Sequence, residues 1–201
     1  MKKLYLALLF LVSSSTFIYS QEKVSEYYMS AFVQYFEVLA SDPEKEELQF
    51  VYIQAKSGDK LIKQTYLFVH PDTLITFACH LNYLKSLFVK WSDIAKNNKV
   101  NDFEKEVPEG SIKVNAAFYD NKWCFDRDVN LIATFKVING MCYMVLSSGK
   151  LTSFSDENYT CDGFVIALAS VGEFDTLIKC INKKTINDYY KQAKSKDELF
   201  R

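Results

Sequence analysis

The strongest fold signal in the chain lies in residues 111–146, SIKVNAAFYDNKWCFDRDVNLIATFKVINGMCYMVL. Apolar and polar side chains alternate from Ile112 onward, and this period of two is typical of a half-buried strand. The segment Asp120-Asn121-Lys122 is a polar turn, and Asn139-Gly140 tolerates the positive φ angles of a tight hairpin. The stretch therefore predicts a series of antiparallel strands joined by short turns.

Further strands are predicted on both sides of this stretch. Residues 48–53 and 61–69 are strand-like and flank a turn at 57–60, which is a hairpin pattern. Residues 164–169 are apolar on both faces, as in a central strand. Together these segments predict an antiparallel sheet of about five to seven strands. The pattern leaves open whether the sheet is open, strongly curved or nearly closed.

Three segments carry helical signals. Residues 71–96 place apolar side chains at i, i+3, i+4 and i+7, which predicts one long amphipathic helix packed across a sheet face. Residues 24–40 also show helical spacing and are followed by Pro43, so a helix is expected at the mature N-terminus. Ser170 and Glu173 have the spacing of a capping box and start a C-terminal helix. The predicted fold class is α+β.

The chain begins with the pattern of a secretory signal peptide, MKKLYLALLFLVSSSTFIYS in residues 1–20. Two lysines precede a short apolar run and a small polar region, and cleavage is expected between Ser20 and Gln21. The first cysteine is Cys79, so the junction lacks the cysteine that a lipoprotein needs. We therefore expect a secreted or periplasmic protein, with no stable membrane insertion after cleavage and one domain over residues 21–201.

Composition narrows the class of partner. The formal net charge is −1, and removal of residues 1–20 takes away two lysines and no acid. A mildly acidic chain argues against a nucleic-acid partner, which would favour a basic patch. The chain holds thirteen Tyr and sixteen Phe, which favour strands and large cores and, where exposed, can contact sugars or proteins. The expected partner is an unidentified protein or small-molecule ligand.

The five cysteines have two interpretations. Export permits disulfides, but an odd number leaves at least one thiol without an intramolecular partner. No C-x-x-C spacing is present, so neither a redox motif nor a zinc site is indicated. If a disulfide forms, Cys142 with Cys161 is the favoured pair, because both lie in the strand-rich half. Free, buried thiols are the alternative.

Acid–base chemistry through histidine would have to use His70 or His80. Cys79 and His80 are neighbours, but adjacent residues on a helix point about 100° apart and do not form a nucleophile–base pair. His70 precedes a proline at a strand-to-helix corner, where a functional side chain can lie. Neither histidine is by itself a site.

A metal site is not indicated either. Asp120, Asp126 and Asp128 cluster with Arg127 around one turn, but the spacing of a calcium loop is absent and the arginine competes for the carboxylates. An ordinary charged turn is the favoured interpretation. We therefore predict no catalytic residue, no cofactor and no metal ligand.

Three functions remain open. The leading hypothesis is a non-catalytic binding or protein-interaction module, which requires an exposed apolar surface or a pocket. The first alternative is a small exported hydrolase, which requires His70 or His80 beside a Cys, Ser, Asp or Glu in a cleft. The second alternative is an inhibitor or immunity-type protein that acts through an exposed loop, residues 99–110 or 147–158.

Overall fold

The computed structural model of the protein describes residues 21–41, 50–62 and 64–198. The predicted signal peptide, residues 1–20, lies outside the described residues. The strands, in chain order, are β1 Gln21–Met29, β2 Gln34–Ser41, β3 Val51–Ser57, β4 Thr65–Val69, β5 Asp102–Glu106, β6 Ile112–Asp120, β7 Lys122–Ile138, β8 Met141–Ser148, β9 Leu151–Thr152, β10 Thr160–Cys161 and β11 Phe164–Leu168. The helices are α1 Pro71–Asn97, α2 Val171–Cys180 and α3 Lys183–Glu198.

Six of these strands close into an antiparallel barrel. The order around the ring is β3, β11, β8, β7, β6 and β4, and β4 pairs back with β3. Strands β1 and β2 extend from β3, and β5 pairs with β7 beside the end of β6. The predicted fold class, a sheet packed by one long helix, is therefore wrong, because distant strands join the two edges of the sheet.

The ring closes at the end of β3. The first residues of β3, Val51–Ile53, pair with β2, whereas Lys56 and Ser57 pair with β11. Just beyond these pairs, the amide of Gly58 donates a 2.8 Å hydrogen bond to the carbonyl oxygen of Gly163. This bond and the two residue pairs beside it form the barrel seam. The same edge of β3 thus pairs first with β2 of the outer hairpin and then with β11, which closes the ring.

A bulge between β6 and β7 helps the sheet to curve. The register shifts between Val114 and Ala116, and on the opposite strand Asp128 has a positive φ of 54°. An extra residue in one strand bends that strand and increases the local twist. Curvature of this kind brings distant edges of one sheet together.

The predicted N-terminal helix is also wrong, because residues 24–40 lie in the β1–β2 hairpin. The apolar residues of this segment fit a period of two as well as a helical period. Tyr27 and Met29 on β1 and Phe36 and Val38 on β2 are buried, and Val33 turns the chain with a φ of 52°. Pairing of β2 with β3 selects the strand conformation over the helical one.

The predicted long helix over residues 71–96 is present as α1, and so are the C-terminal helices. Helix α1 contributes Phe77, Leu81 and Leu84 to one hydrophobic cluster that also contains the inward side chains of the barrel strands and of α2. None of the described helices is long and apolar enough to cross a lipid bilayer.

The predicted cap of α2 forms in part. The Ser170 hydroxyl accepts a hydrogen bond from the Glu173 amide at 3.2 Å, as in a capping box. The Glu173 carboxylate instead accepts from the amides of Ala169 and Ser30, at 2.8 and 3.2 Å. Glu173 therefore ties the turn of the β1–β2 hairpin to the start of α2.

Candidate functional site

The structure places His80 on α1, against the segment that joins β5 and β6. Its ring contacts the backbone of Gly110 and lies 6.4 Å from the ring of Tyr83. Its Nε2 atom is buried and has no hydrogen-bond partner. Burial lowers the pKa of His80, so the neutral form is favoured. Among the described residues, no acid or nucleophile forms a hydrogen bond with this Nε2 atom, as the hydrolase hypothesis would require.

His70 lies at the corner between β4 and α1. Its carbonyl oxygen accepts hydrogen bonds from the amides of Thr73 and Leu74 and from the Thr73 hydroxyl, which starts the helix. Its exposed ring stands edge-on to Phe50, with centroids 5.6 Å apart. His70 and His80 lie at different ends of the first three turns of α1 and do not form a shared site.

The favoured disulfide pair is not brought together. Cys142 lies near the start of β8, whereas Cys161 pairs with Leu151 beyond the end of β8. The intervening stretch of β8 alone spans roughly 15–20 Å at about 3.3 Å per residue, and a disulfide needs Cα atoms within about 7 Å. All five cysteines are free thiols in the structure, and only Cys79 is exposed.

The first loop of the inhibitor hypothesis, residues 99–110, is not a free loop. Its residues Asp102–Glu106 form β5, which pairs with Thr134–Ile138 of β7. Its Pro108 carbonyl oxygen accepts a hydrogen bond from the Tyr83 hydroxyl at 3.1 Å. The segment is thus held against both the barrel and α1.

The second loop, residues 147–158, is anchored on β7. The Thr152 amide donates to the Asp126 carboxylate at 2.8 Å, and the Phe154 amide donates to the Phe125 carbonyl at 2.8 Å. Asp126 therefore orders this loop. The described residues contain no cluster of three or more His, Cys, Asp or Glu side chains arranged to hold a metal ion.

Seven aromatic side chains form the most extensive candidate site. They lie on strands β3, β4, β6 and β7 or directly beside β3, on the face opposite to the core side chains, because successive side chains in a strand point to opposite faces. We call this surface the aromatic face. Its members are Phe50, Tyr52, Tyr66, Phe68, Tyr119, Trp123 and Phe125.

One half of the aromatic face is centred on Phe68. Tyr52 is its cross-strand partner, and their rings are stacked with centroids 5.2 Å apart. Phe50 meets Phe68 edge-on at 5.3 Å, and Phe125 meets it edge-on at 6.1 Å. Contacts of this geometry stabilise aromatic pairs beyond the effect of burial alone.

The other half is centred on Trp123. Its cross-strand partner Tyr119 meets it at 5.4 Å with an interplanar angle of 64°, and Tyr66 lies 5.8 Å away. The small side chain of Ala117 separates Tyr66 from Phe125 in the register of β4, β6 and β7. The rings thus continue across four neighbouring strands.

The aromatic face extends onto the second loop. The Phe154 amide donates its hydrogen bond to the Phe125 carbonyl oxygen, and the guanidinium of Arg127 lies 4.4 Å from the centre of the Phe154 ring. Phe154 is 58% exposed, and Tyr119 is 43% exposed. Two accessible aromatic side chains therefore flank the half-buried rings of Trp123 and Phe125.

Charges of both signs surround these rings. Lys122 lies with its Nζ atom 3.9 Å from the centre of the Tyr159 ring and 3.6 Å from the Asp156 carboxylate. Burial raises the pKa of Tyr52 and Tyr66 to about 12, so both hydroxyls stay protonated even at mildly alkaline pH. The centre of the face is uncharged, and its rim carries both cations and carboxylates.

The order of residues along the strands indicates this face, whereas the high aromatic content alone does not show where it lies. Tyr52 lies between the core residues Val51 and Ile53, and Tyr66 precedes the core residue Leu67. Large aromatics at the positions expected to face solvent mark a surface that is covered by other rings or by a partner. The chain matches no protein-family model, and no curated protein or solved structure is significantly similar to it.

Proposed function

We propose that the protein is an exported, non-catalytic binding module whose aromatic face binds a protein partner. One observation carries this proposal. The rings from Phe50 to Phe125 form a continuous layer outside the main core, in which Tyr52 and Tyr66 are buried, and this layer ends in the exposed side chains of Tyr119 and Phe154. Extended exposed apolar surfaces on folded proteins commonly mark interaction sites.

A protein partner fits this surface better than a sugar does. Tyr119 and Trp123 meet at 64°, so the exposed rings do not form a flat platform for stacking. Tyr, Trp and Arg are the residues most enriched among the energetically important contacts of protein interfaces. Arg127 lies over Phe154 at the rim, and mixed charges around an apolar centre match the anatomy of such interfaces.

The hydrolase hypothesis has weaker support. It requires a histidine whose ring reaches a nucleophile or an acid within a cleft. The His80 ring instead contacts the Gly110 backbone and the Tyr83 ring, and burial of its Nε2 atom disfavours the charged form.

Export is proposed from residues 1–20, and its test is independent of partner binding. The full-length gene is expressed in an exporting host, and the intact mass of the released protein is measured. A mature chain that begins at Gln21 supports export with cleavage after Ser20. Retention of residues 1–20 on the cell-associated protein contradicts it.

The partner is sought by site-specific photo-cross-linking in the native envelope or culture fluid. A photoreactive phenylalanine analogue replaces Tyr119 in one variant and Val89 in another, because these residues are 43% and 42% exposed and Val89 lies on α1. We expect one discrete cross-linked protein at position 119 only. Trp123→Ala in the same background should reduce its yield at least about tenfold, because a central aromatic contact is removed.

Two outcomes contradict the proposal. Equal cross-linking at positions 119 and 89 indicates non-specific contact. Saturable binding of an oligosaccharide that Trp123→Ala abolishes, without any cross-linked protein, assigns the face to a sugar instead.

A further inference from the structure

A second, separate feature is an apolar cleft between α1 and β5. It has a volume of about 240 Å³, and its lining includes Trp91, Ile94, Val100, Phe103, Lys105 and Phe135. Five of these side chains are apolar and one is a cation. The cleft therefore combines an apolar interior with a single positive charge.

Aromatic rings form the inner part of the cleft. Trp91 meets Phe135 edge-on, with centroids 5.5 Å apart. Phe135 is a core residue of β7, so the inner end of the cleft is fixed by the barrel. Phe103 and Ile94 stand at the rim and are about half exposed, at 48% and 50%. A ligand ring can thus enter from solvent and contact aromatic side chains on two sides.

Lys105 supplies the charge. Its Nζ atom lies 5.1 Å from the centre of the Trp91 ring, on the same face of β5 as Phe103. Glu104 points to the opposite face, where its carboxylate pairs with Lys136 at 2.9 Å. Among the described residues, no carboxylate forms an ion pair with Lys105. This cation is available to an anionic ligand.

We propose that this cleft binds a small aromatic monocarboxylate of the size of phenylacetate. The carboxylate pairs with Lys105 at the rim, and the ring enters between Trp91 and Phe103. A cavity of about 150 Å³ accepts benzene, so a cleft of about 240 Å³ can hold a ring with a short acidic side chain. The proposal does not depend on the aromatic face.

The test is calorimetric titration of the folded protein with three ligands that share one skeleton: phenylacetate, 2-phenylethanol and phenethylamine. We expect saturable binding of phenylacetate, with a dissociation constant of about 1 mM or lower for a ligand of this size. The neutral alcohol should bind at least about tenfold more weakly, and the amine should not bind measurably, because each lacks the charge that Lys105 attracts.

Two lysine variants locate the site. Lys105→Met retains the length of the side chain and removes its charge, and it should weaken phenylacetate binding at least about tenfold. Lys136→Met is the matched control, because Lys136 pairs with Glu104 on the other face of β5, and it should change binding less than about twofold. Phe103→Ala, at a position that is 48% exposed, should weaken binding several-fold.

The proposal is overturned if phenylacetate fails to saturate the protein, if Lys105→Met binds it as tightly as the parent, or if phenethylamine binds equally well. Binding of a peptide with a C-terminal phenylalanine, without binding of free phenylacetate, would also overturn it, because the cleft would then recognise a protein terminus.

Discussion

The amide of Gly58 donates a 2.8 Å hydrogen bond to the carbonyl oxygen of Gly163, and this bond joins the two strand ends at which the barrel closes. The thiol of Cys161 lies 3.5 Å from the same oxygen and 3.9 Å from the Ser57 hydroxyl. The amide next to Gly163, that of Phe164, donates to the Ser148 hydroxyl at 2.9 Å. Closure thus depends on a dense group of backbone and side-chain contacts around Gly163.

Gly163→Ala should destabilise the protein. Gly163 has a φ of 92°, and a Cβ atom there would collide with the carbonyl oxygen of Gly149 and with Ser148. Backbone strain and displacement of the seam should lower the free energy of unfolding by about 2 kcal/mol or more. Urea denaturation measures this change. Gly149→Ala is the control, since a Cβ there meets no atom within 4 Å, and it should change stability by less than about 0.5 kcal/mol. Equal effects of the two substitutions would contradict this account.

Local patterns predicted the parts of the fold that depend on nearby residues. The Asn139-Gly140 turn between β7 and β8 and the helix α1 are confirmed, because turn chemistry and a single apolar stripe determine them. Residues 24–40 were wrongly predicted as a helix. Their apolar spacing suits both periods, and a distant contact, such as the 2.6 Å bond from the Tyr27 hydroxyl to the Gln54 carbonyl, determines the conformation.

Closure of the barrel could not be predicted, because alternation identifies the buried face of a strand and not the partner at its edge. The pairing of Val165 with Lys56 joins segments far apart in the sequence. The aromatic face could have been predicted from the sequence, because Tyr52 and Tyr66 occupy strand positions opposite to the core. The cleft beside Lys105 could not be predicted, because the polar composition of this segment gives no sign that it forms the strand β5.

Stability should fall at alkaline pH because of buried tyrosines. Burial raises the pKa of Tyr52 and Tyr66 to about 12, and it also raises the pKa of Tyr27. Above pH ~10 the unfolded chain loses tyrosine protons that the folded chain retains, so the free energy of unfolding decreases from about pH 10 towards 12. Urea midpoints across this range measure the decrease. It should be smaller in Tyr66→Phe, and an unchanged slope in that variant would count against burial of this hydroxyl.

His80 should make the protein sensitive to mild acid. Burial lowers its pKa in the folded state, so below the ordinary value of about 6.5 the unfolded chain binds a proton that the folded chain resists. Its contribution to stability is therefore present above pH ~6.5 and is lost as the pH falls towards the folded pKa. His80→Asn retains an N–H donor towards Gly110 and does not titrate. The difference in urea midpoint between about pH 7.5 and 5.5 should be smaller in this variant, and identical differences would refute the role of His80.

Thiol counting tests the state of the cysteines. The exposed thiol of Cys79 should react rapidly with a thiol reagent, and the four buried thiols should react slowly. Burial also raises the pKa of Cys124, Cys161 and Cys180, which reduces the reactive thiolate. After denaturation without reductant, all five should react. A count lower by two, with Cys142 and Cys161 recovered in one cross-linked peptide, would show that the predicted disulfide forms and that the seam rearranges to allow it.

The position of the barrel seam has a consequence for folding kinetics. Strands β6, β7 and β8 are joined by short turns, so their pairing closes only small loops. The seam joins β3 to β11 through just two residue pairs and encloses most of the described chain. Closing so large a loop costs more chain entropy, and the contacts that offset this cost form only once the two strands have met. We therefore expect the three-stranded meander to form first and the ring to shut last. In the native protein, amide hydrogens at Lys56 and Val165 should exchange through local opening before those of β7.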